Sequence, residues 1–176
     1  MKNRLTHTLL GIVAFLVLVL MPARAEDEGG APKRVVKSPQ QEAKDRAAAF
    51  MAAAKQKPGV VVTPSGLCYV IVNPGTPPLP KPTDIVKASY TGKLSNGTVF
   101  ESTQARGPVE FPLTRVIRGW TEGLQKVGTG GKIILYVPPE LAYGEQRRRG
   151  IPAGSALEFE VEIISIREAP PFEGAP

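Results

Sequence analysis

The sequence predicts an α+β fold that is mainly β: an antiparallel sheet of five or six strands with one short helix, preceded by an N-terminal helix. Glycine and proline number 18 each among 176 residues, a content that favours short strands and turns. From Val60 onward the hydrophobic pattern has a period of two, which is typical of strands. Helical patterns are confined to an alanine-rich stretch near residues 39–56 and a short segment at 119–127. The short helix is expected to pack across the concave apolar face of the sheet.

The N-terminus predicts export. Lys2 and Arg4 precede an apolar run of 13 residues, Leu9–Met21, and small residues follow at the spacing that signal peptidase reads. We therefore predict a signal peptide over residues 1–25, a periplasmic or secreted protein, and no permanent membrane anchor, because 13 residues are too short to span a bilayer comfortably. An uncleaved N-terminal anchor is the alternative.

Residues 26–59 are predicted to form a linker followed by a helix. Ser38 is a suitable N-cap, Pro39 occupies the first helical position, and Gln41 completes a capping box. The alanine-rich stretch has high helix propensity, and Pro58 ends it.

The domain over residues 60–168 contains the strand signals. The predicted strands are 67–71, 84–94, a return strand that begins with 98–100, and 109–113, 132–137 and 157–163. Asn96-Gly97 is a strong hairpin signal, and the last strand alternates apolar residues with glutamates, so that one face is buried and the other solvated. The Pro- and Gly-rich tail, 169–176, is predicted to be disordered.

Composition excludes several classes of function. Without the three basic residues of the signal peptide, 19 Lys and Arg stand against 16 Asp and Glu, which is weak grounds for nucleic-acid binding. The only histidine, His7, leaves with the signal peptide, so no imidazole mechanism, metal site or cofactor is expected. The only cysteine, Cys68, is read as a buried strand residue or, alternatively, a reactive thiol. The basic run 147–149 is either a solvated loop or a surface that faces substrate.

Aromatic residues lie at the edges of the predicted elements and in turns. These residues are Tyr90, Phe100, Trp120, Tyr143 and Phe159. They form either an ordinary core or a shallow pocket for an apolar ring, and the residues alone favour neither interpretation.

Five short motifs, taken in order, favour the pocket over an ordinary core. They are Tyr90-Thr91-Gly92, Gly97-Thr98-Val99-Phe100, Val116-Ile117-Arg118-Gly119-Trp120, Leu141-Ala142-Tyr143-Gly144 and Gly150-Ile151-Pro152. In order and spacing, the segment from Leu67 to Ile166 resembles the FKBP family of peptidyl-prolyl cis-trans isomerases. The resemblance implies a half-open sheet wrapped on one helix.

The resemblance also implies the site. The implied catalytic residues are Tyr90, Phe100, Glu101, Trp120, Tyr143 and Phe159. The implied substrate-binding residues are Arg106, Val109, Val116, Ile117 and Ile151. Trp120 corresponds to the floor of a proline pocket, and the Ile117 amide and the Tyr143 hydroxyl correspond to donors of hydrogen bonds to the ligand. Two residues depart from the family: Glu101 replaces an aspartate that pairs with the residue matching Arg106, and Val109 replaces an aromatic wall residue.

The implied partners are proline-containing unfolded or nascent exported polypeptides, with a folding-chaperone role, and macrolide inhibitors. The alternative is a non-catalytic binding module of the same fold. Because Phe50 and Met51 are the only large apolar residues of the N-terminal helix, we predict a monomer or at most a weak dimer.

Overall fold

A computed structural model describes residues 37–170, which belong to one compact unit. The predicted signal peptide, the linker up to residue 36, and residues 171–176 of the predicted tail lie outside the described residues. The α-helices of the described part are α1 (Pro39–Lys55) and α2 (Arg118–Leu124). The strands there are β1 (Val61–Val62), β2 (Cys68–Asn73), β3 (Ile85–Leu94), β4 (Val99–Ser102), β5 (Val109–Pro112), β6 (Lys132–Val137) and β7 (Leu157–Arg167).

The strands form one antiparallel sheet in the order β1-β2-β6-β7-β3-β4, and β5 also pairs with β3. The long strand β3 pairs with β7 along one edge and with β4 and then β5 along the other. This confirms the predicted α+β, mainly β fold. Strand β1 adds a seventh strand to the five or six expected, because two residues carry no detectable periodicity.

The core lies between the sheet and α2. The alternating residues of β7 predicted to face inward, Leu157, Phe159, Val161 and Ile163, are all buried. Helix α2 ends at Leu124, three residues before the predicted end at Val127. The amides of Lys126 and Val127 bond to the third carbonyl back, so the chain tightens into a turn there instead of continuing the α-helix.

Helix α1 covers the opposite face of the sheet. The Gln41 amide donates to the Ser38 hydroxyl, as the capping box predicts. Met51 and Ala54 are buried against Cys68 and Tyr136, which are strand neighbours of inward-facing residues and therefore point to the other face. Cys68 is fully buried, and burial raises the pKa of its thiol, which suits a packing residue.

Candidate active site

A cavity of about 500 Å³ opens beside the N-terminus of α2. Seven of the residues implied by the sequence line it: Tyr90, Glu101, Val116, Ile117, Trp120, Tyr143 and Phe159. Six further residues complete the lining: Phe111, Arg115, Arg118, Ala142, Gln146 and Arg148. The cavity is thus aromatic at its base and basic at its edge.

Trp120 forms the base of the cavity and is held by three other rings. Its ring centroid lies 5.0 Å from that of Tyr90, 5.5 Å from that of Phe111 and 5.3 Å from that of Phe159. The interplanar angles lie between 78° and 89°, the edge-to-face arrangement that aromatic pairs prefer. Contacts from three directions fix the indole plane, so that an apolar face can be offered to the cavity.

Two glycines allow α2 to carry Trp120 this close to the sheet. A Cβ on Gly119 would lie 2.6 Å from Val137 Cγ1, and one on Gly123 would lie 2.5 Å from Leu135 Cδ2. Any larger residue would push the helix away from β6. The close approach of helix and sheet therefore sets the depth of the cavity.

Ile117 precedes α2 and belongs to the wall. Its carbonyl accepts hydrogen bonds from the amides of Trp120 (2.9 Å) and Thr121 (3.2 Å), which begin the helix. The backbone hydrogen bonds of residues 37–170 include none donated by the Ile117 amide. Within the described structure, this amide is therefore a donor at the cavity wall without a backbone acceptor.

Tyr143 supplies a hydroxyl on the loop side of the cavity. Burial, and secondarily the charge of Glu101, raise the pKa of Tyr143. The Arg148 guanidinium lies 5.6 Å from the centroid of its ring, within the range of a cation–π contact. The phenol consequently keeps its proton at neutral pH and can donate a hydrogen bond.

The turn after β4 is tied to Tyr90 by a buried threonine. The Tyr90 amide donates to Thr103 Oγ1 (2.9 Å), and the Thr103 amide donates to the Tyr90 carbonyl (3.0 Å). Arg106, on the same turn, donates to the Glu101 carboxylate at 2.6 Å. Sequence reasoning missed Thr103, because a lone threonine in a turn carries no periodic or motif signal.

Four implied site residues do not line the cavity. Phe100 stands behind it and packs edge-on against Phe159, with centroids 5.7 Å apart. Arg106 is outside the lining and pairs with Glu101, which lines the cavity. Val109 opens β5 opposite Ala88. Ile151 is buried in the core and exchanges two backbone hydrogen bonds with Arg148, each 3.0 Å long.

Phe111 lines the cavity, whereas Val109, two residues earlier on β5, does not. The two residues lie on the same face of one strand, and Phe111, opposite Val86, packs against Trp120 of α2. Sequence spacing predicted the shared face but not which residue reaches the cavity. Of the basic run 147–149, only Arg148 lines this cavity.

Two features are absent from residues 37–170. No group of three or more His, Cys, Asp or Glu side chains there could hold a metal ion. No helix of this part is both long and apolar enough to cross a membrane.

Comparison with known families gives two matches. The family model described as FKBP-type peptidyl-prolyl cis-trans isomerase matches residues 77–164. The model described as the domain amino terminal to FKBP-type peptidyl-prolyl isomerase matches residues 24–71.

Individual relatives include the FKBP-type peptidyl-prolyl cis-trans isomerase FkpA of Aeromonas hydrophila, 48% identical over 71% of this chain and 47% of that protein. The peptidyl-prolyl cis-trans isomerase Mip of Coxiella burnetii is 44% identical over 70% of this chain and 55% of that protein. The chain spans about half the length of the curated relatives it matches.

Solved structures with the same fold include FkpA from Escherichia coli, with a TM-score of 0.66 and 40% identity over 74% of this chain and 65% of that one. A peptidyl-prolyl cis-trans isomerase from Pseudomonas syringae gives a TM-score of 0.69 and 34% identity, over 75% of this chain and 98% of that one.

Proposed function

Because this chain belongs to the FKBP-type peptidyl-prolyl cis-trans isomerase family, we propose that it accelerates the rotation of X-Pro bonds in exported polypeptides. The observation that carries the proposal is the Trp120 ring, held by three neighbouring rings at the base of an open cavity. A prolyl ring is compact and apolar enough to pack on the face of that indole. Tyr90, Phe111 and Phe159 then surround it.

The proposed mechanism is preferential stabilisation of the twisted bond. Resonance holds the planar amide, with negative charge on oxygen, and water favours this charge-separated form. An apolar cavity removes that water and therefore penalises the planar state more than the twisted one, in which resonance is lost. The barrier is about 18–20 kcal/mol, and each tenfold acceleration requires only about 1.4 kcal/mol.

Two donors are proposed to orient the substrate. The Ile117 amide and the Tyr143 hydroxyl border the cavity and can bond to the carbonyls that flank the proline. A donor that approaches the prolyl nitrogen, whose lone pair is freed on twisting, would lower the barrier further, and the substrate's own backbone can supply it. None of these steps requires a nucleophile or a proton transfer, and no His or Cys lines the cavity.

The same proposal gives a role to each segment of the chain, a location and a class of partner. Residues 60–168 are the isomerase domain, residues 1–25 a signal peptide, 26–59 a linker with α1, and 169–176 a tail. The signal peptide directs the protein to the periplasm or outside the cell. There it acts on proline-containing unfolded or nascent exported polypeptides, with a chaperone role in their folding, and macrolides that present a proline-like ring would compete for the cavity.

An isomerisation assay on an Ala-X-Pro-Phe peptide series tests the function. We expect acceleration with a rate that is flat between about pH 6 and 8, because no histidine remains after processing. Trp120→Leu should lower kcat/KM by more than about tenfold, since it removes the stacking surface. Tyr69→Phe, a change in a residue that does not line the cavity, is the control. Peptide binding without acceleration would instead favour the non-catalytic binding module.

A further inference from the structure

We propose that arginines at the edge of the cavity make the enzyme prefer substrates with an acidic residue next to the proline. The arginine rim consists of Arg115, Arg118 and Arg148, all of which line the cavity and are exposed. The inference rests on the proposed isomerase function and specifies its substrate class.

The rim approaches the cavity from two segments of the chain. Arg115 and Arg118 flank the wall that leads into α2, whereas Arg148 lies on the loop after Tyr143. A peptide whose proline stacks on Trp120 must therefore leave the cavity past guanidinium groups. The side chains on either side of the proline are the ones that meet them.

The positive charge of the rim is not neutralised by nearby carboxylates. Among residues 37–170, no carboxylate oxygen lies within 4.0 Å of a rim guanidinium. Glu101 is the one carboxylate that lines the cavity, and it is paired with Arg106. Glu145, on the same loop as Arg148, pairs with Lys44 instead.

Two of the three guanidinium groups are held by hydrogen bonds, and these two retain free donors. Arg148 donates to Gln146 Oε1 at 2.8 Å, and its backbone is fixed by two hydrogen bonds to Ile151. Arg118 donates one Nη2 hydrogen bond to the Glu140 carbonyl. Each guanidinium carries five N–H donors in a planar fork, so several remain for a substrate carboxylate.

The expected effect is moderate, because the rim is exposed. Solvent-exposed ion pairs are weak individually, but exchange of an acidic for a basic substrate side chain replaces attraction with repulsion at more than one guanidinium. We expect kcat/KM to differ about threefold to tenfold between the two. The difference should shrink at 1 M salt, where the Debye length is only about 3 Å.

Two peptide series test the proposal in a protease-free isomerisation assay on the full chain. One series is Ala-X-Pro-Phe and the other is Ala-Leu-Pro-X, with X as Glu, Gln or Lys. The expected order is Glu over Gln over Lys in at least one series, and the Glu-to-Lys ratio should fall at least about twofold when Arg115→Gln and Arg148→Gln are combined. Arg46→Gln removes one charge from α1, on the opposite face of the sheet, and should leave the ratio unchanged.

The neutral peptides separate the two proposals. Acceleration of the Gln peptides with equal kcat/KM for Glu and Lys in both series would overturn the acidic preference and leave the isomerase function intact. A preference that survives the double substitution would show that the rim is not its source. No acceleration of any peptide would overturn the isomerase function and the preference with it.

Discussion

Arg106 donates a 2.6 Å hydrogen bond to the Glu101 carboxylate across the turn that follows β4. Both side chains are about half exposed, yet Glu101 also lines the cavity. The pair therefore joins a cavity wall to the turn that Thr103 anchors to Tyr90. This geometry fits an acid that braces the turn, and not a base that removes a proton.

Substitution of Glu101 separates these roles. We expect Glu101→Gln to lower kcat/KM measurably but by less than about fivefold, because an exposed pair contributes little, and Glu101→Asp to be tolerated. A general base would show a loss of about a hundredfold or more on Glu101→Gln. Phe100→Ala, measured alongside, should lose most activity, because it removes the ring that supports Phe159. Two unaffected Glu101 variants would mean that the pair is only a surface contact.

Tyr90 should make stability depend on alkaline pH. Burial, and secondarily the neighbouring Glu101 carboxylate, raise the pKa of Tyr90 above its ordinary value of 10.0. The folded state then keeps the Tyr90 proton at pH values at which the unfolded state has lost it. The stabilisation that results is complete below about pH 10 and is lost as the pH rises further. Between about pH 9 and 11, Tyr90→Phe should lose less unfolding free energy than the parent. Denaturant titrations measure this, and unfolding free energies of the parent and Tyr90→Phe that fall in parallel with pH would contradict it.

Gly123→Ala should destabilise the domain by about 1–3 kcal/mol, the usual cost of overpacking. The added methyl would meet the Leu135 side chain at 2.5 Å. Combination with Leu135→Val, which removes the atoms it meets, should recover part of the loss. The two changes should thus couple in a double-mutant cycle. Additive effects in chemical unfolding would show that the helix moves freely instead.

Residues 61–168 alone should form a folded, active isomerase that is less stable than the whole chain. Every residue that lines the cavity falls inside this range, but removal of α1 exposes Cys68 and Tyr136. Met51→Ala in the full chain should lower the free energy of unfolding by a smaller amount, about 2 kcal/mol. A fragment that folds but is inactive would assign α1 a role in catalysis.

The processed protein should be a monomer or at most a weak dimer. Met51 is already buried within its own chain, and Phe50 packs edge-on against Tyr136 with centroids 6.0 Å apart. Little apolar surface of α1 is left for an obligate interface. Sedimentation at micromolar concentration checks this, and a tight dimer that is lost on deletion of residues 26–59 would contradict it.

Local patterns predicted most of the fold. The alternation in β7, the Asn96-Gly97 hairpin and the Ser38 cap each depend on residues close in sequence, and the structure has all three elements. The two-residue strand β1 was not predicted, because it is defined only by its pairing with β2. Periodicity reports which face a residue occupies, but not which strands are neighbours.

The site residues were harder to predict from the sequence for the same reason. Trp120 and Tyr143 were identified through motifs, and both line the cavity. Phe111, Thr103 and Arg148 acquire their positions only when the sheet, the turn and the loop come together. Their types and spacing carry no local signal of that arrangement.

Trp120 is the only tryptophan of the chain, and its indole Nε1 is buried without a hydrogen-bond partner among the described residues. Emission excited at the red edge of the protein's absorption therefore originates from the base of the cavity alone. A ligand that stacks on the indole changes the polarity that the excited state experiences. The unmodified protein thus carries an intrinsic optical probe, which allows affinity and dissociation rates to be followed without a label.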